Sequence, residues 1–206
     1  MTFTLLARDP GSGDLGAAVA SHFPAVGGVV PYHRAGVGLV ACQSFADAAL
    51  AEAVLDLLAT GAPPALALSG ALEGRNPEIR QVLVLTPEGD VAVHSGSACT
   101  AHVAEAAADG CIAAGNLLAG SRIAEAMIAH YVASRLLPFA DRLLLALTAG
   151  EEAGGDVRGR AAAAIRIWSP RYPEPDRLPL DLRVDHDPDP LARMADLLSL
   201  HRTLDG

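Results

Sequence analysis

The sequence predicts a mixed α/β protein of the α+β kind, with helical layers packed on antiparallel sheets. Three observations carry that expectation. Two hairpins are legible as apolar segments around Gly-, Pro- and Asp-rich turns. Five segments of helical length are bounded by caps and breakers. The order runs strands, helices, strands, helices, strands, which suits helices layered on antiparallel sheets better than alternating βαβ units.

Thr2 to Arg8 alternates loosely and reads as a strand, followed by the turn residues Asp9 to Asp14. Gly16 to Ser21 continues as a second strand and closes a hairpin, and Gly36 to Cys42 reads as a third strand. Asp47 is a good N-cap for a helix running to about Thr60, where Gly61 and Pro63-Pro64 stop it. A shorter helix follows at Ala65 to Leu72. Gln81 to Leu85 and Val91 to Ser95 form the second hairpin, and Cys111 to Ala114 is a short strand ending in Gly115-Asn116. Two amphipathic helices follow, Ser121 to Ala133 and Pro138 to Ala149, and then a strand, Ala161 to Trp168. The Pro-rich stretch Ser169 to Pro179 reads as an ordered surface loop, because a strand, Leu180 to Val184, follows it. Asp189-Pro190 opens a closing helix to about Leu204. The length of 206 residues fits one domain spanning 1–206, large enough to bury about 70 % of the unfolded chain's surface.

Composition narrows the function. The net charge of −9 argues against nucleic-acid backbone and against anionic membrane as partners. All fifteen basic residues are arginine, which excludes lysine Schiff bases, a phosphate-loop lysine and a lysine base. Three irregularly spaced cysteines, Cys42, Cys99 and Cys111, make neither a disulfide framework nor a zinc site. With neither a signal-peptide pattern nor a bilayer-length apolar run, the expected location is the cytoplasm. A homodimer is the default assembly.

Two motifs invite assignment and fail on physical grounds. Gly11-Ser12-Gly13-Asp14-Leu15-Gly16 matches the dinucleotide fingerprint literally, but it does not feed a helix that would hold the pyrophosphate. No Asp or Glu follows between Leu15 and Ala46, where the ribose-binding acid belongs. Asp185, Asp187 and Asp189 have calcium-loop spacing, but Pro190 occupies the position that needs glycine. The seven histidines form neither HxxxH nor HExxH. No metal or organic cofactor is expected.

The N-terminus is more informative. Thr2 follows Met1 and is small enough for the methionine to be removed. The exposed threonine would then carry a hydroxyl nucleophile and an α-amine of pKa near 8 on one residue. A strand directly after it would hold the pair on a sheet.

The opening, Thr2-Phe3-Thr4-Leu5-Leu6-Ala7 and then Leu15 to Ser21, resembles the first hairpin of proteasome-type N-terminal-nucleophile hydrolases. Nearly the whole chain resembles the bacterial domain-of-unknown-function family 1028, through TFTLLARDP, VAS with FPAVGGVVP, RAGVGLVA, Arg80-Gln81, AGNLLAG, GGDVRG and DLRVD with DPDP. This chain carries Ala161-Ala162 where that family tends to have Gln-Ser, and Asp185-His186-Asp187 where it has Asp-Asp-His.

The resemblance implies a four-layer αββα sandwich, two mainly antiparallel sheets flanked by helices. It implies Thr2 as nucleophile, with Asn116 and Asp156 orienting its amine and Arg34 standing where the catalytic lysine would lie. A backbone N–H at Gln43 or Ser44 would form the oxyanion hole, and Ser21 and Arg158 complete the substrate-binding set. Arg34 reads equally as a surface ion pair, and Arg158 as the salt-bridge partner of Asp156. The expected function is an amidohydrolase cleaving an amide or ureido C–N bond of a small molecule. Arginines near the site would suit an anionic one. The alternative is a non-catalytic domain that keeps the sandwich for binding or assembly, which retention of Met1 would favour.

Overall fold

The computed structural model describes residues 2–100, 102–172, 174 and 178–205. Met1, on whose removal the nucleophile expectation depends, lies outside the described residues, as do 173 and 175–177 of the Pro-rich loop.

Among the described residues, ten strands form two antiparallel sheets flanked by five α-helices. The chain opens with β1 (Thr2–Arg8) and β2 (Leu15–Ser21). Their turn is built by Asp9, whose Oδ2 accepts from Ser12 N and Ser12 Oγ, and by Gly13 at φ 77. The fingerprint-like glycines therefore serve a hairpin, with no helix behind them. β3 (Pro31–Arg34), β4 (Gly38–Ser44), β5 (Arg80–Leu85) and β6 (Val91–Ser95) make the four-stranded sheet in chain order. β7 (His102–Ala108), β8 (Cys111–Leu118), β9 (Ala162–Trp168) and β10 (Leu180–Val184) join the first hairpin in a six-stranded sheet ordered β10-β9-β2-β1-β8-β7.

The helices form where caps and breakers place them. α1 (Ala48–Ala59) is capped by Asp47, whose side chain accepts from Leu50 N, and α2 (Pro64–Leu72) starts on a proline at its first position. α3 is Ile123–Ala133, starting two residues later than the sequence suggested, and α4 is Phe139–Glu152, a turn longer at its end. In α5 (Pro190–Asp205), Asp189 Oδ1 accepts from Ala192 N in the first turn, so capping accounts for an aspartate of the calcium-like run.

Two strands escape sequence reading. β3 is four residues long and begins with a proline. β7 is alanine-rich, a composition that favours helix, yet it pairs with β8 from Ala108↔Cys111 outward, with a bulge between His102 and Ala104. The tight Asp109-Gly110 turn, with Gly110 at φ 66, delivers it to the sheet edge, and tertiary pairing overrides propensity there.

Three apolar clusters hold these elements together. Phe3, Leu5, Met127, Leu143, Leu147, Ile165 and Met194 pack α3, α4 and α5 on one face of the six-stranded sheet. Val40, Cys42, Leu50, Val54, Leu55 and Leu68 pack α1 and α2 on the outer face of the four-stranded sheet. Leu6, Leu15, Val19, Leu39, Ala41, Leu83, Leu85 and Ile112 fill the space where the two sheets face each other. Successive strand residues point to opposite faces, so Phe3 and Leu5 serve the helical side of β1 while Leu6 serves the inter-sheet side.

Candidate functional site

The inter-sheet face of each strand is set by a period of two, and six of them change chemistry at the same end of the layer. On β1 the inward positions are Leu6, then Thr4 and Thr2; on β2 they run Leu15, Ala17, Val19, Ser21. On β4 they run Leu39, Ala41, Gln43, and on β5 Leu85, Leu83, Gln81. β6 runs from Val91 through Val93 to Ser95, and β8 from Ile112 through Ala114 to Asn116. Antiparallel pairing gathers these polar ends together. Thr2 lies directly across from Ser21 on one side and from Asn116 on the other, while Gln43 faces Gln81 in the second sheet.

The polar groups bond to each other across the sheets. Thr2 Oγ1 donates to Ser21 Oγ at 3.2 Å, and Thr4 Oγ1 donates to Gln43 Oε1 at 2.6 Å. Gln43 Nε2 donates to Gln81 Oε1 at 2.8 Å and to Ala114 O at 3.3 Å, and lies 3.5 Å from Thr2 O. Asn116 Nδ2 also donates to Gln81 Oε1, at 2.8 Å, and Gln81 Nε2 donates to Ser95 Oγ at 2.7 Å and Gly115 O at 3.0 Å. Gln81 is fully buried and Gln43 is 1 % exposed. A buried amide left unpaired costs about 1–3 kcal/mol, so two glutamines persist here because both ends of each amide are satisfied.

The expected site residues fall into three groups. Thr2, Ser21, Gln43 and Asn116 come together in this buried cluster. Asp156 and Arg158 sit beside it. Asp156 Oδ2 accepts from His22 N at 3.3 Å, one residue beyond Ser21, and Oδ1 accepts from Arg158 N at 2.7 Å. Arg158 also pairs with that carboxylate at 3.4 Å, so the salt-bridge role is the one observed. No hydrogen bond joins Asp156 to Thr2 among the described residues; the connection runs through the end of β2.

Arg34 is not brought to the cluster, and of its two readings the surface ion pair is the one seen. It lies opposite Gly38 at the start of β4, roughly 17 Å along the strand from Gln43. There it bridges Glu52 and Asp56 of α1 at 2.7 and 2.8 Å. The β3–β4 register carries it to the far end of the sheet, and two carboxylates hold it at the surface. Ser44 closes β4 with φ 70 and an exposed side chain, outside the buried cluster. Cys42 points to the helical side, packed under α1, and burial pushes its thiol up to about 11, which removes it as a thiolate nucleophile at neutral pH.

Thr4, Gln81 and Ser95 belong to the cluster, and the sequence alone assigns none of them a role in a site. Their signal was present: each extends an alternating apolar run by one polar residue in phase. Among the described residues no group of three or more His, Cys, Asp or Glu is placed to hold a metal ion. No helix among them is long and apolar enough to cross a membrane.

The fold and site define a mixed α/β protein with two facing antiparallel sheets and a buried polar cluster at one end of the layer between them. The model of a family of unknown function, DUF1028, matches residues 2–194, and the chain belongs to that family. The crystal structure of protein SPO2555 from Silicibacter pomeroyi, described by the same family, is similar with a TM-score of 0.86 and 31 % identity, covering 96 % of this chain and 88 % of that one. An Anbu (Gly-1) mutant from Hyphomicrobium sp. strain MC1 aligns at a TM-score of 0.46 with 13 % identity, over 100 % of this chain and 97 % of that one. Anbu (ancestral beta-subunit) from Yersinia bercovieri aligns at 0.42 with 11 % identity, over 99 % and 98 %. These two are too distant to add to the fold described above. No curated protein sequence matches the chain significantly.

Proposed function

We propose that the chain is an N-terminal-nucleophile amidohydrolase: one four-layer αββα domain that cleaves the C–N bond of a small amide with Thr2. The observation that carries this reading is the position of Thr2. It is 7 % exposed, its hydroxyl bonds to Ser21, and Ser21 and Asn116 flank it where the strands' apolar faces give way to polar ones. Three buried, unpaired cysteines fit a reducing compartment, and hence action in the cytoplasm.

In the proposed reaction Met1 has been removed. Thr2 Oγ attacks the carbonyl carbon and its proton passes to the Thr2 α-amine, which then protonates the departing amine. The resulting ester is cleaved by water, which releases the acid and restores the hydroxyl. Asn116 orients the amine, and Asp156 steadies the chain at Ser21-His22 through the His22 N–H. The oxyanion donor is a backbone N–H at Gln43 or Ser44, worth about 3 kcal/mol in comparable sites. Arg34 takes no part.

A second reading, a non-catalytic binding or assembly domain, is favoured by one feature. The two buried glutamines are fully engaged with their neighbours, as a structural bridge between the sheets would require.

Intact mass of untagged protein separates the two. Loss of one methionine, followed by a stoichiometric adduct with a β-lactone probe, supports the nucleophile. Thr2→Ser should retain the adduct and Thr2→Ala should lower its formation at least about a thousandfold. Retained methionine in protein from the native host, or full labelling of Thr2→Ala, would turn the argument to the second reading.

A further inference from the structure

We propose that the site, on the reading that Thr2 is its nucleophile, selects an uncharged amide with an apolar acyl group. Charge is the first observation. The side chains converging on Thr2 and its neighbours, Thr4, Ser21, Gln43, Gln81, Ser95 and Asn116, are all neutral. Three of the arginines in the segments that carry site residues are already paired. Arg158 pairs with Asp156, Arg34 with Glu52 and Asp56, and Arg80 with Asp47 while donating to Phe45 O. A substrate carboxylate drawing on any of these three would have to break its pair, which argues against the anionic amide suggested by arginine content.

The second observation is an apolar rim. Phe23 N donates at 2.9 Å to the same Ser21 oxygen that Thr2 Oγ1 reaches, which puts the Phe23 backbone one shared acceptor away from the nucleophile. Val157 follows Asp156, which is bonded to His22 N. Phe45 stands two residues beyond Gln43, carried outward by Ser44 in the left-handed region. Phe23 and Phe45 are each 61 % exposed and Val157 56 %, whereas Phe3 is buried in the core and Phe139 packs half-buried against it. Phe23 and Phe45 are thus left in water on the loops leaving β2 and β4, and Val157 on the connection between α4 and β9; in the proposed selection a ligand at Thr2 covers them. In the proposed reaction the acyl group stays bonded to Thr2 Oγ until water attacks, while the amine departs. The part of the substrate held longest at the rim is the acyl chain.

The test is an acyl series of p-nitroanilides with the full chain, read as kcat/KM from p-nitroaniline release. Each methylene buried is worth about fourfold, so hexanoyl should exceed acetyl at least about tenfold, and butyryl should exceed the equally long, anionic succinyl. Phe23→Ser and Phe45→Ser should shrink the hexanoyl-to-acetyl ratio. A flat series or a preference for succinyl overturns the inference. So does a Phe23→Ser protein that dissociates from a dimer to a monomer while its ratio stays unchanged, because the rim is then a self-association face. Binding to Thr2→Ala, followed by NMR with hexanamide and succinamate, tests selection without chemistry. Preferential binding of hexanamide alongside an inactive wild type would remove the nucleophile and leave the selectivity; equal or absent binding of the two overturns the inference on its own.

Discussion

At one end of the layer between the sheets the inward positions are Thr2, Ser21, Gln43, Gln81, Ser95 and Asn116; at the other they are Leu15, Leu39, Leu85, Val91, Ile112 and Trp168. The far end is finished by rings. His33 stacks on Trp168 at 5.0 Å with planes 17° apart, and the Arg166 guanidinium lies 5.0 Å from the Trp168 ring. A cavity of about 290 Å³ opens there, lined among others by Leu15, His33, Pro87 and Trp168. One end is held by directional hydrogen bonds whose donors and acceptors must match; the other is held by shape and apolar contact, which tolerates substitution by similar volumes. The same strands therefore carry a site that is specified atom by atom and a closure that is specified only by fit.

The sharpest way to break that contrast is one near-isosteric change at each end. Gln81→Met keeps the side chain's length but removes the partners of Gln43 Nε2, Asn116 Nδ2, Ser95 Oγ and Gly115 O, and should cost about 3 kcal/mol. Leu85→Met should cost under about 1.5 kcal/mol. Urea unfolding of both variants measures the pair, and equal costs would mean that the polar cluster has no special demand for its hydrogen bonds.

Acid should act on the apolar end next. Burial first, and the Arg166 charge second, push His33 down to about 4, against about 6.5 in the unfolded chain. Between those values the unfolded chain binds the extra proton, so this contribution is complete above about pH 6.5 and is lost as pH falls toward 4. With screening at the exposed edge of the ring, the loss should be about 1–2 kcal/mol. His33→Phe should unfold with a correspondingly smaller difference between pH 7 and pH 4, and an unchanged difference would show that the ring is not held neutral.

The smallest effect is expected at Arg34. Arg34→Ala breaks two exposed ion pairs to α1 and should change stability by no more than about 1 kcal/mol, with labelling of Thr2 unaffected. A large loss of labelling at intact stability would return Arg34 to the site.

Local chemistry made much of this legible. The Asp9 turn, the Asp47 cap and the breakers at Gly61 and Pro63-Pro64 act within a few residues, and the first hairpin, α1 and α2 form where they point. β7 is not legible in the sequence because its alanines speak for helix and only its partner β8 makes it a strand. The resemblance puts Arg34 where a catalytic lysine would lie by matching segments in chain order, but order says nothing about which end of β3 faces which end of β4. Gln81 stands in the Arg80-Gln81 motif with no role legible there, since its hydrogen-bond partners Gln43 and Asn116 lie 38 and 35 residues away.

Alternation along a strand depends on neighbours two positions apart, which is why each inward face and its polar terminal residue can be read from the amino acids alone. The meeting of six such termini depends on pairings as distant as Thr2 with Asn116 and on which face of one sheet covers the other. Those pairings are fixed by burying Leu6, Leu39, Leu83 and Ile112 together, a cooperative gain available only once both sheets exist. The residues of the candidate site were chosen locally; their convergence is a property of the packed core.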